Sequence, residues 1–272
     1  MKPALKWAAS LAVAAVFLAP LLWMVGGSLR SEPTIFRPAL WWSAHGWTLG
    51  HYGAAWRRAR LGITLANSFI QATAIAGGGL FVNSGAAYAF ARLRFPGREA
   101  LFAAVVMLII LPAEGLAVPM FLTARDLGLT GGYASAMAGL TIPFIGSAFN
   151  IYFLRQHFLL LPAALEEAAV IDGAGPWRTF WSIALPSIRP ALATVVVIDL
   201  LTHWGDFLWP LMISTREDTR TVQLGLADLF TQPPIRWGDI LAGAVLATLP
   251  VLVLFRWLQR YLVAAETGAG IR

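Results

Sequence analysis

The sequence predicts an all-α, polytopic membrane protein with six transmembrane helices, and three observations indicate this fold class. Of the 272 residues, 58% are hydrophobic and only 12% are charged, and the mean hydropathy is +0.68. Soluble domains carry about 25% charged residues. Apolar stretches long enough to cross a bilayer recur along the chain, since one span needs about 20 residues. A long stretch without such a block, residues 161–190, predicts a loop of two short helices between two spans.

The charged residues and the absence of cysteine exclude several classes of partner and site. The formal net charge is +6, but no basic stripe lies on a soluble domain, so the sequence predicts no nucleic-acid partner. The positive residues are better explained as anchors to membrane lipid. Because the chain has no cysteine, disulfides and thiolate metal sites are excluded.

The first span is predicted at residues 7–28, with the amino terminus in the cytoplasm because Lys2 and Lys6 precede it. A signal peptide is the alternative, but the apolar run is long enough to span, and no small-residue cleavage site follows it before Arg30. With no linker or internal repeat, residues 1–272 are expected to form a single domain. The five further predicted spans are 64–90, 100–122, 133–154, 189–213 and 239–262.

Residues 161–190 are predicted to form a helix, an elbow and a second helix. Pro162 is expected at the first helical position, and Gly173 is expected to close a helix of about ten residues. Pro176 then opens the second helix, which Pro186 and Pro190 are expected to end. Four residues of the second helix recur at i, i+3, i+4 and i+7 and predict one apolar stripe: Trp177, Phe180, Trp181 and Ala184.

Three fragments of this loop resemble the EAA signature of binding-protein-dependent ABC importer permeases. They are Glu167-Ala168-Ala169, Asp172-Gly173-Ala174 and Leu185-Pro186. In that family the loop is cytoplasmic and seats a coupling helix in a cleft on a separate ATPase. The resemblance implies that seven residues dock on the ATPase: Glu166, Glu167, Ala168, Ala169, Asp172, Gly173 and Ala174. The alternative is an amphipathic segment that lies on the membrane surface without a partner.

Fragments across nearly the whole chain are similar to the carbohydrate-importer, maltose-type branch of that family. They lie at 28–30, 67–68, 86–91, 94–97, 127–129, 149–151, 204–211 and 224–226, and they place the permease core at about 64–262. Two departures stand out. Gly205 occupies a position where the branch usually has Asn, and Ala265-Glu266 replaces a more Gly-rich ending.

The resemblance implies a permease subunit in the cytoplasmic (inner) membrane that moves a sugar or oligosaccharide into the cytoplasm by alternating access. Its expected partners are two copies of an ATPase subunit, a second related permease and an extracytoplasmic sugar-binding protein, which the loop 214–238 would help to contact. ATP and Mg are expected on the ATPase, with no cofactor or metal in this chain. Both lysines lie in the first six residues, so the chain lacks a Gly-Lys-Ser/Thr phosphate-binding loop and is not expected to be an enzyme.

Ionisable residues inside predicted spans are costly and are therefore candidates for function. Asp199, His203 and Asp206 recur at i, i+4 and i+7 and share one face of the fifth predicted span. Together with Trp204, Trp209 and Asn150, they are the candidate substrate-pathway residues.

This stripe leaves other functions open. The three residues could make polar contacts between helices, hold a metal ion, or relay protons in a stand-alone proton-coupled secondary transporter. A hydrolase with Asp199 and Asp206 as a carboxylate pair is disfavoured, because seven positions along a helix separate them by about 10 Å.

Overall fold

The computed structural model describes residues 3–37 and 46–268, and helices make up most of this part of the chain. An isolated bridge between Arg30 and Trp47 is the extended pairing present in those ranges. Lys2, used above to orient the first span, lies outside the described residues. The α-helices are α1 (Pro3–Ser28), α2 (Glu32–Ile35), α3 (Gly50–Arg58), α4 (Leu61–Arg92), α5 (Arg98–Ile110), α6 (Ala113–Asp126), α7 (Tyr133–Ile145), α8 (Ala148–Leu159), α9 (Ala163–Ile171), α10 (Pro176–Thr179), α11 (Leu185–Ser187), α12 (Arg189–Gly205), α13 (Leu208–Ile213), α14 (Val222–Thr231) and α15 (Trp237–Gly268).

By length and composition, three helical stretches of the described chain can each cross a membrane: Trp7–Ser28, Leu61–Arg92 and Trp237–Trp257. Three bent helix pairs raise the number to six if each pair forms one span. The all-α, polytopic fold class is therefore confirmed. The first predicted span, 7–28, coincides with the first of these stretches.

Three predicted spans are not continuous helices, and the one predicted at 133–154 breaks at Gly146 between α7 and α8. The span predicted at 100–122 breaks between α5 and α6, whose axes differ by 109°. Leu111 precedes Pro112 and takes an extended conformation, with ψ of 128°, because a proline disfavours helical geometry in the residue before it. The span predicted at 189–213 stops at Gly205, where Asp206 is extended and α13 starts a separate short helix.

The chain divides into two compact units: residues 1–66 with 220–253, and residues 67–219 with 254–272. A buried polar network stabilises the first unit. Asp239 is fully buried, and its two carboxylate oxygens lie 2.7 Å from His51 Nδ1 and 2.8 Å from Arg58 Nη1. His51 Nε2 lies 2.9 Å from the carbonyl oxygen of Arg30. A Cβ added at Gly238 would lie 2.3 Å from His51 Nε2, so the close approach of the imidazole requires glycine there.

Replacing Asp239 by alanine is expected to lower the free energy of unfolding by about 3 kcal/mol, because it leaves the Arg58 cation and the buried His51 without their shared acceptor. Thermal unfolding of the purified protein in detergent measures this loss. Asp126→Ala is the matched control, since Asp126 pairs with Arg125 at the surface and its loss is expected to cost less than about 1 kcal/mol. Equal destabilisation by the two variants would contradict the role assigned to the buried network.

In the second unit, α4 packs closely on the break between α7 and α8. Asn83 of α4 is fully buried and makes two backbone hydrogen bonds at this break. Its Nδ2 donates to the Ile145 carbonyl oxygen at 3.1 Å, and its Oδ1 accepts from the Ser147 N–H at 2.9 Å. A Cβ added at Gly79 would lie 3.2 Å from the same Ile145 oxygen, so the absence of a side chain permits the contact. The 42° bend between α7 and α8 is therefore fixed by a side chain of another helix.

Candidate functional sites: the 161–190 loop and a polar cavity

The first arm of the 161–190 loop is α9, and the sequence predicted both its presence and its end. Pro162 lies one residue before the helix as its N-cap rather than at the first helical position. Gly173 has a φ of +79° and closes the helix as predicted. The Gly173 N–H donates to the Val170 carbonyl at 3.0 Å, and the Ala174 N–H donates to the Ala169 carbonyl at 2.9 Å. These two bonds form a Schellman motif, in which a left-handed residue satisfies the last carbonyls of a helix.

Replacing Gly173 by valine is expected to weaken this helix end by about 2 kcal/mol, because a β-branched residue resists positive φ. The cost is conformational and not steric, since an added Cβ meets nothing within 4 Å. Amides at the end of α9 should then exchange with deuterium roughly thirtyfold faster, as measured by mass spectrometry of peptides that cover 163–175. Gly175→Val is the matched control, because Gly175 has a φ of −72° and equally open space around it. Unchanged exchange in Gly173→Val would contradict the assignment.

The second arm ends at Ser187, one residue after Pro186, and its axis bends by 78° from that of α12. The chain continues from α10 through a π-helical turn, Phe180–Ala184, into α11 and then α12. In this turn the Leu185 N–H donates to the Phe180 carbonyl, one residue further back than in an α-helix. The wider turn lets the chain pass Pro186 at the start of α11. Pro190 likewise lies in the first turn of α12, where a missing N–H breaks no helical bond.

The predicted apolar stripe of the second arm is divided between core and surface. Phe180 and Ala184 are buried against Tyr88 of α4 and Phe158 of α8. The Phe180 ring centroid lies 5.1 Å from that of Tyr88. Trp177, in contrast, is 67% exposed. Two of the four stripe residues, Phe180 and Ala184, therefore anchor the loop in the core of the second unit.

An unpredicted contact through Arg92, the last residue of α4, also anchors the loop. Its Nη2 donates to the carbonyl oxygens of Phe158 at 2.8 Å and Leu161 at 2.6 Å. Its Nε lies 3.2 Å from Glu166 Oε1. Glu166, which the resemblance placed among the docking residues, is thus half-buried and paired within the chain. Sequence reasoning treated Arg92 only as a membrane-flanking charge.

The opposite side of α9 is exposed and carries both charge and apolar area. We call this surface the knob face and define it by Glu167, Ala168, Val170, Ile171 and Asp172, all of which are exposed. Ile171 is 85% exposed, and Val170 is 65% exposed. Contiguous exposed apolar side chains of this kind mark interaction sites. Of the other predicted docking residues, Ala169 is buried, and Ala174 is partly buried. Sequence reasoning missed Val170 and Ile171, although large apolar residues beside a charged helix face were a visible signal.

The second candidate site is a cavity of about 650 Å³ in the second unit, within the ~300–1,000 Å³ range of small-molecule sites. Five of the six predicted pathway residues line it: Asn150, Asp199, His203, Asp206 and Trp209. Asp199 and His203 belong to α12, while Asp206 follows the helix in an extended conformation and reaches the same cavity from there. Trp204, also predicted as a pathway residue, does not line the cavity and is only 6% exposed. Glu114 of α6 also lines the cavity.

Hydrogen bonds and ring contacts fix several of the lining side chains. Asn150 Nδ2 of α8 donates to both carboxylate oxygens of Asp199 in α12, at 2.9 and 3.0 Å. The Trp209 indole N–H donates to the Gly139 carbonyl at 3.1 Å, which leaves the ring as its lining surface. The Phe144 ring lies between those of His203 and Trp209, with centroid distances of 5.0 and 5.7 Å.

The geometry does not favour a metal at this stripe. Within 3–37 and 46–268, the structure places no group of three or more His, Asp or Glu side chains so that they could hold a metal ion. What the cavity offers is a set of carboxylates, one amide and several aromatic rings. This combination can bind hydroxyl-rich solutes by hydrogen bonds and ring stacking.

Comparison with known proteins gives a family match and similar relatives. Residues 79–266 match the model of the family described as "Binding-protein-dependent transport system inner membrane component". The chain is 35% identical to the sn-glycerol-3-phosphate transport system permease protein of Yersinia enterocolitica over 236 residues, 84% of this chain and 82% of the relative. It is 34% identical to the arabinooligosaccharides transport system permease protein of Halalkalibacterium halodurans over 193 residues, 71% of this chain and 68% of the relative.

A solved structure shares the fold. It belongs to a bacterial ABC transporter involved in the import of the acidic polysaccharide alginate. The TM-score is 0.81 at 24% sequence identity, and the match covers 95% of both chains. At this identity the likeness concerns the fold.

Proposed function

Because this chain belongs to the family of binding-protein-dependent transport system inner membrane components, we propose that it carries a sugar, an oligosaccharide or a close derivative through the cavity of its second unit. Family membership confirms the resemblance predicted from the EAA fragments. The chain is a multi-pass permease of the inner membrane, a transport subunit of an ATP-driven importer and not an enzyme. The stand-alone proton-coupled transporter is not favoured.

An importer of this family works with an ATPase, a second permease and a substrate-binding protein. We propose two copies of the ATPase, which hold the ATP and Mg, and a second permease related to this chain. The lack of any lysine beyond Lys6 supports the assignment of nucleotide binding to another subunit.

The knob face is the proposed docking surface for the ATPase. Its exposed Val170 and Ile171 offer apolar area, and the Glu167 carboxylate offers a charge that an arginine of the partner can pair with. Glu166 takes a different role in this proposal, because its ion pair with Arg92 orients α9 from behind.

Contacts within the second unit suggest how movement at α9 reaches the cavity. Arg92 ties Glu166 to the end of α8, and Asn150 of α8 is bonded to Asp199 of α12 in the cavity wall. Phe180 and Ala184 pack into the same core as Ala191 and Val195 of α12. A force on the knob face therefore acts on the helices that line the cavity. ATP-driven closure of the partner would switch the cavity between the two sides of the membrane.

The observation that carries the sugar assignment is the cavity with its carboxylates, amide and aromatic rings. The names of the relatives point to the same chemistry, since they concern sn-glycerol-3-phosphate and arabinooligosaccharides. We expect affinity purification from solubilised membranes to recover an ATPase, a second permease and a substrate-binding protein. The complex in proteoliposomes should then accumulate a radiolabelled saccharide only with ATP. Uptake that follows a proton gradient and needs no ATP would overturn the proposal.

A further inference from the structure

The charges around the cavity have one sign. Glu114, Asp199 and Asp206 line it, and neither arginine nor lysine occurs among its described lining residues. Glu114 comes from α6, Asp199 from α12 and Asp206 from the residue that follows α12, so the carboxylates reach the cavity from two helical segments. An anionic solute would therefore meet negative charge on more than one side.

The hydrogen-bonding groups around the cavity include several acceptors, beside the Ser147 and Thr202 hydroxyls and the His203 imidazole, which can also donate. Asn150 is 1% exposed, and its Nδ2 is used by Asp199, while its buried Oδ1 has no hydrogen-bond partner. His203 Nδ1 is likewise buried and without a partner. Carboxylate and amide oxygens accept hydrogen bonds and are satisfied by hydroxyl groups. A buried amide oxygen without a partner is costly, so a hydroxyl donor from a bound solute would recover that cost.

Aromatic side chains complete the wall on the remaining side. Phe144 and Trp209 contact each other edge to face, and Phe149 and Phe207 are partly exposed along the same cavity. The apolar faces of a sugar ring pack on such surfaces, while a phosphate or carboxylate group gains nothing from them. The negative charge, the hydrogen-bond acceptors and the aromatic rings of the cavity thus point to one class of solute.

We propose that the cavity binds an uncharged saccharide and discriminates against sugar derivatives that carry a phosphate or a carboxylate. The inference rests on the proposed sugar transport and narrows its substrate. It separates this chain from the relatives above that are named for sn-glycerol-3-phosphate and for the acidic polysaccharide alginate. A phosphate or uronate group brings only acceptors and negative charge to a site that already supplies both.

The test measures binding without the substrate-binding protein, so that the permease alone determines selectivity. Retention of radiolabelled solutes is compared on the purified complex of both permeases and the ATPase. The solutes are arabinotriose and maltose, and the matched pairs glucose with glucuronate and glycerol with sn-glycerol-3-phosphate. We expect at least one uncharged saccharide to be retained and each anion to bind about tenfold or more weakly than its uncharged counterpart. Equal or tighter binding of the anions would overturn the inference, and so would retention of no uncharged saccharide.

Variants link the selectivity to the cavity. Glu114→Gln and Asp206→Asn each remove one charge with little change in shape, and each is expected to raise the ratio of glucuronate to glucose binding about threefold or more. Asp126→Asn is the matched control on the same helix as Glu114, and it should leave the ratio unchanged because Asp126 pairs with Arg125 at the surface. An unchanged ratio in both cavity variants would also overturn the inference. ATP-dependent uptake in proteoliposomes is scored separately, so ATP-driven import of an anion would refute this inference while leaving the sugar importer intact.

Discussion

Glu167→Lys is expected to reduce ATP-driven solute uptake at least about tenfold while the protein remains inserted and folded. Glu167 is exposed on the knob face, so its replacement removes no internal contact of the kind that Glu166 makes with Arg92. If Glu167 pairs with an arginine of the ATPase, a lysine places two cations together at a docked interface. Loss of one buried charge pair across an interface costs about 2 kcal/mol or more, and like charges add to that cost.

The measurement is uptake and solute-stimulated ATP hydrolysis by the reconstituted complex, with the melting temperature of the permease as a check on folding. Glu99→Lys is the matched control, because Glu99 is an exposed carboxylate of α5 outside the loop. The control is expected to keep both activities. Normal uptake and normal stimulation in Glu167→Lys would remove the docking role of the knob face.

Arg92→Met is expected to have the second large effect, a loss of about 3 kcal/mol in the free energy of unfolding together with weakened coupling to the ATPase. The variant leaves the Glu166 carboxylate without its cation and the carbonyl oxygens of Phe158 and Leu161 without their donor. Breaking a partly buried ion pair from one side exposes the remaining charge to its full desolvation cost. Thermal unfolding in detergent gives the stability, and co-purification of the ATPase reports the coupling.

A double-mutant cycle separates the ion pair from the other bonds of Arg92. In a Glu166→Gln background, Arg92→Met should cost measurably less, because no charge is then left unpaired. Arg98→Met serves as the matched control, since Arg98 pairs with the exposed Glu99. An identical cost of Arg92→Met in both backgrounds would show that the ion pair contributes nothing to the position of α9.

The sequence predicted those features that depend only on residues close together in the chain, such as helix ends and the faces of a helix. The role of Gly173 at the end of α9 was predictable, because a chain that turns sharply after a helix needs a residue that tolerates positive φ. That Asp199 and His203 both line the cavity followed from the helical period, whereas Asp206 lies beyond the end of α12. The same period explains why Trp204 does not line the cavity, since it is next to His203 in sequence and therefore about 100° around the helix from it.

Other features depend on contacts that no local pattern contains. Pro186 was predicted to end a helix, and the helix ends one residue later, but the π-helical turn before it shifts the hydrogen-bond register and was not predicted. Arg92 lies 74 positions before Glu166 in the sequence, and Asn150 lies 49 before Asp199. Pairing at such separations is set by how α4, α8, α9 and α12 pack, so the sequence showed the charges and not their partners.

The hydrogen bonds of Asn83 have a consequence for a transporter whose interior changes its water content. The break between Ile145 and Ser147 lies beside the cavity, and the freed backbone groups of a broken helix at membrane depth must be satisfied by neighbouring protein groups or by ordered water. Here the Asn83 amide replaces a missing peptide group, with its Nδ2 bonded to the carbonyl on one side of the break and its Oδ1 to the N–H on the other. The bend is thus independent of hydration, and the cavity wall can keep its shape while the solute displaces the solvent and then leaves.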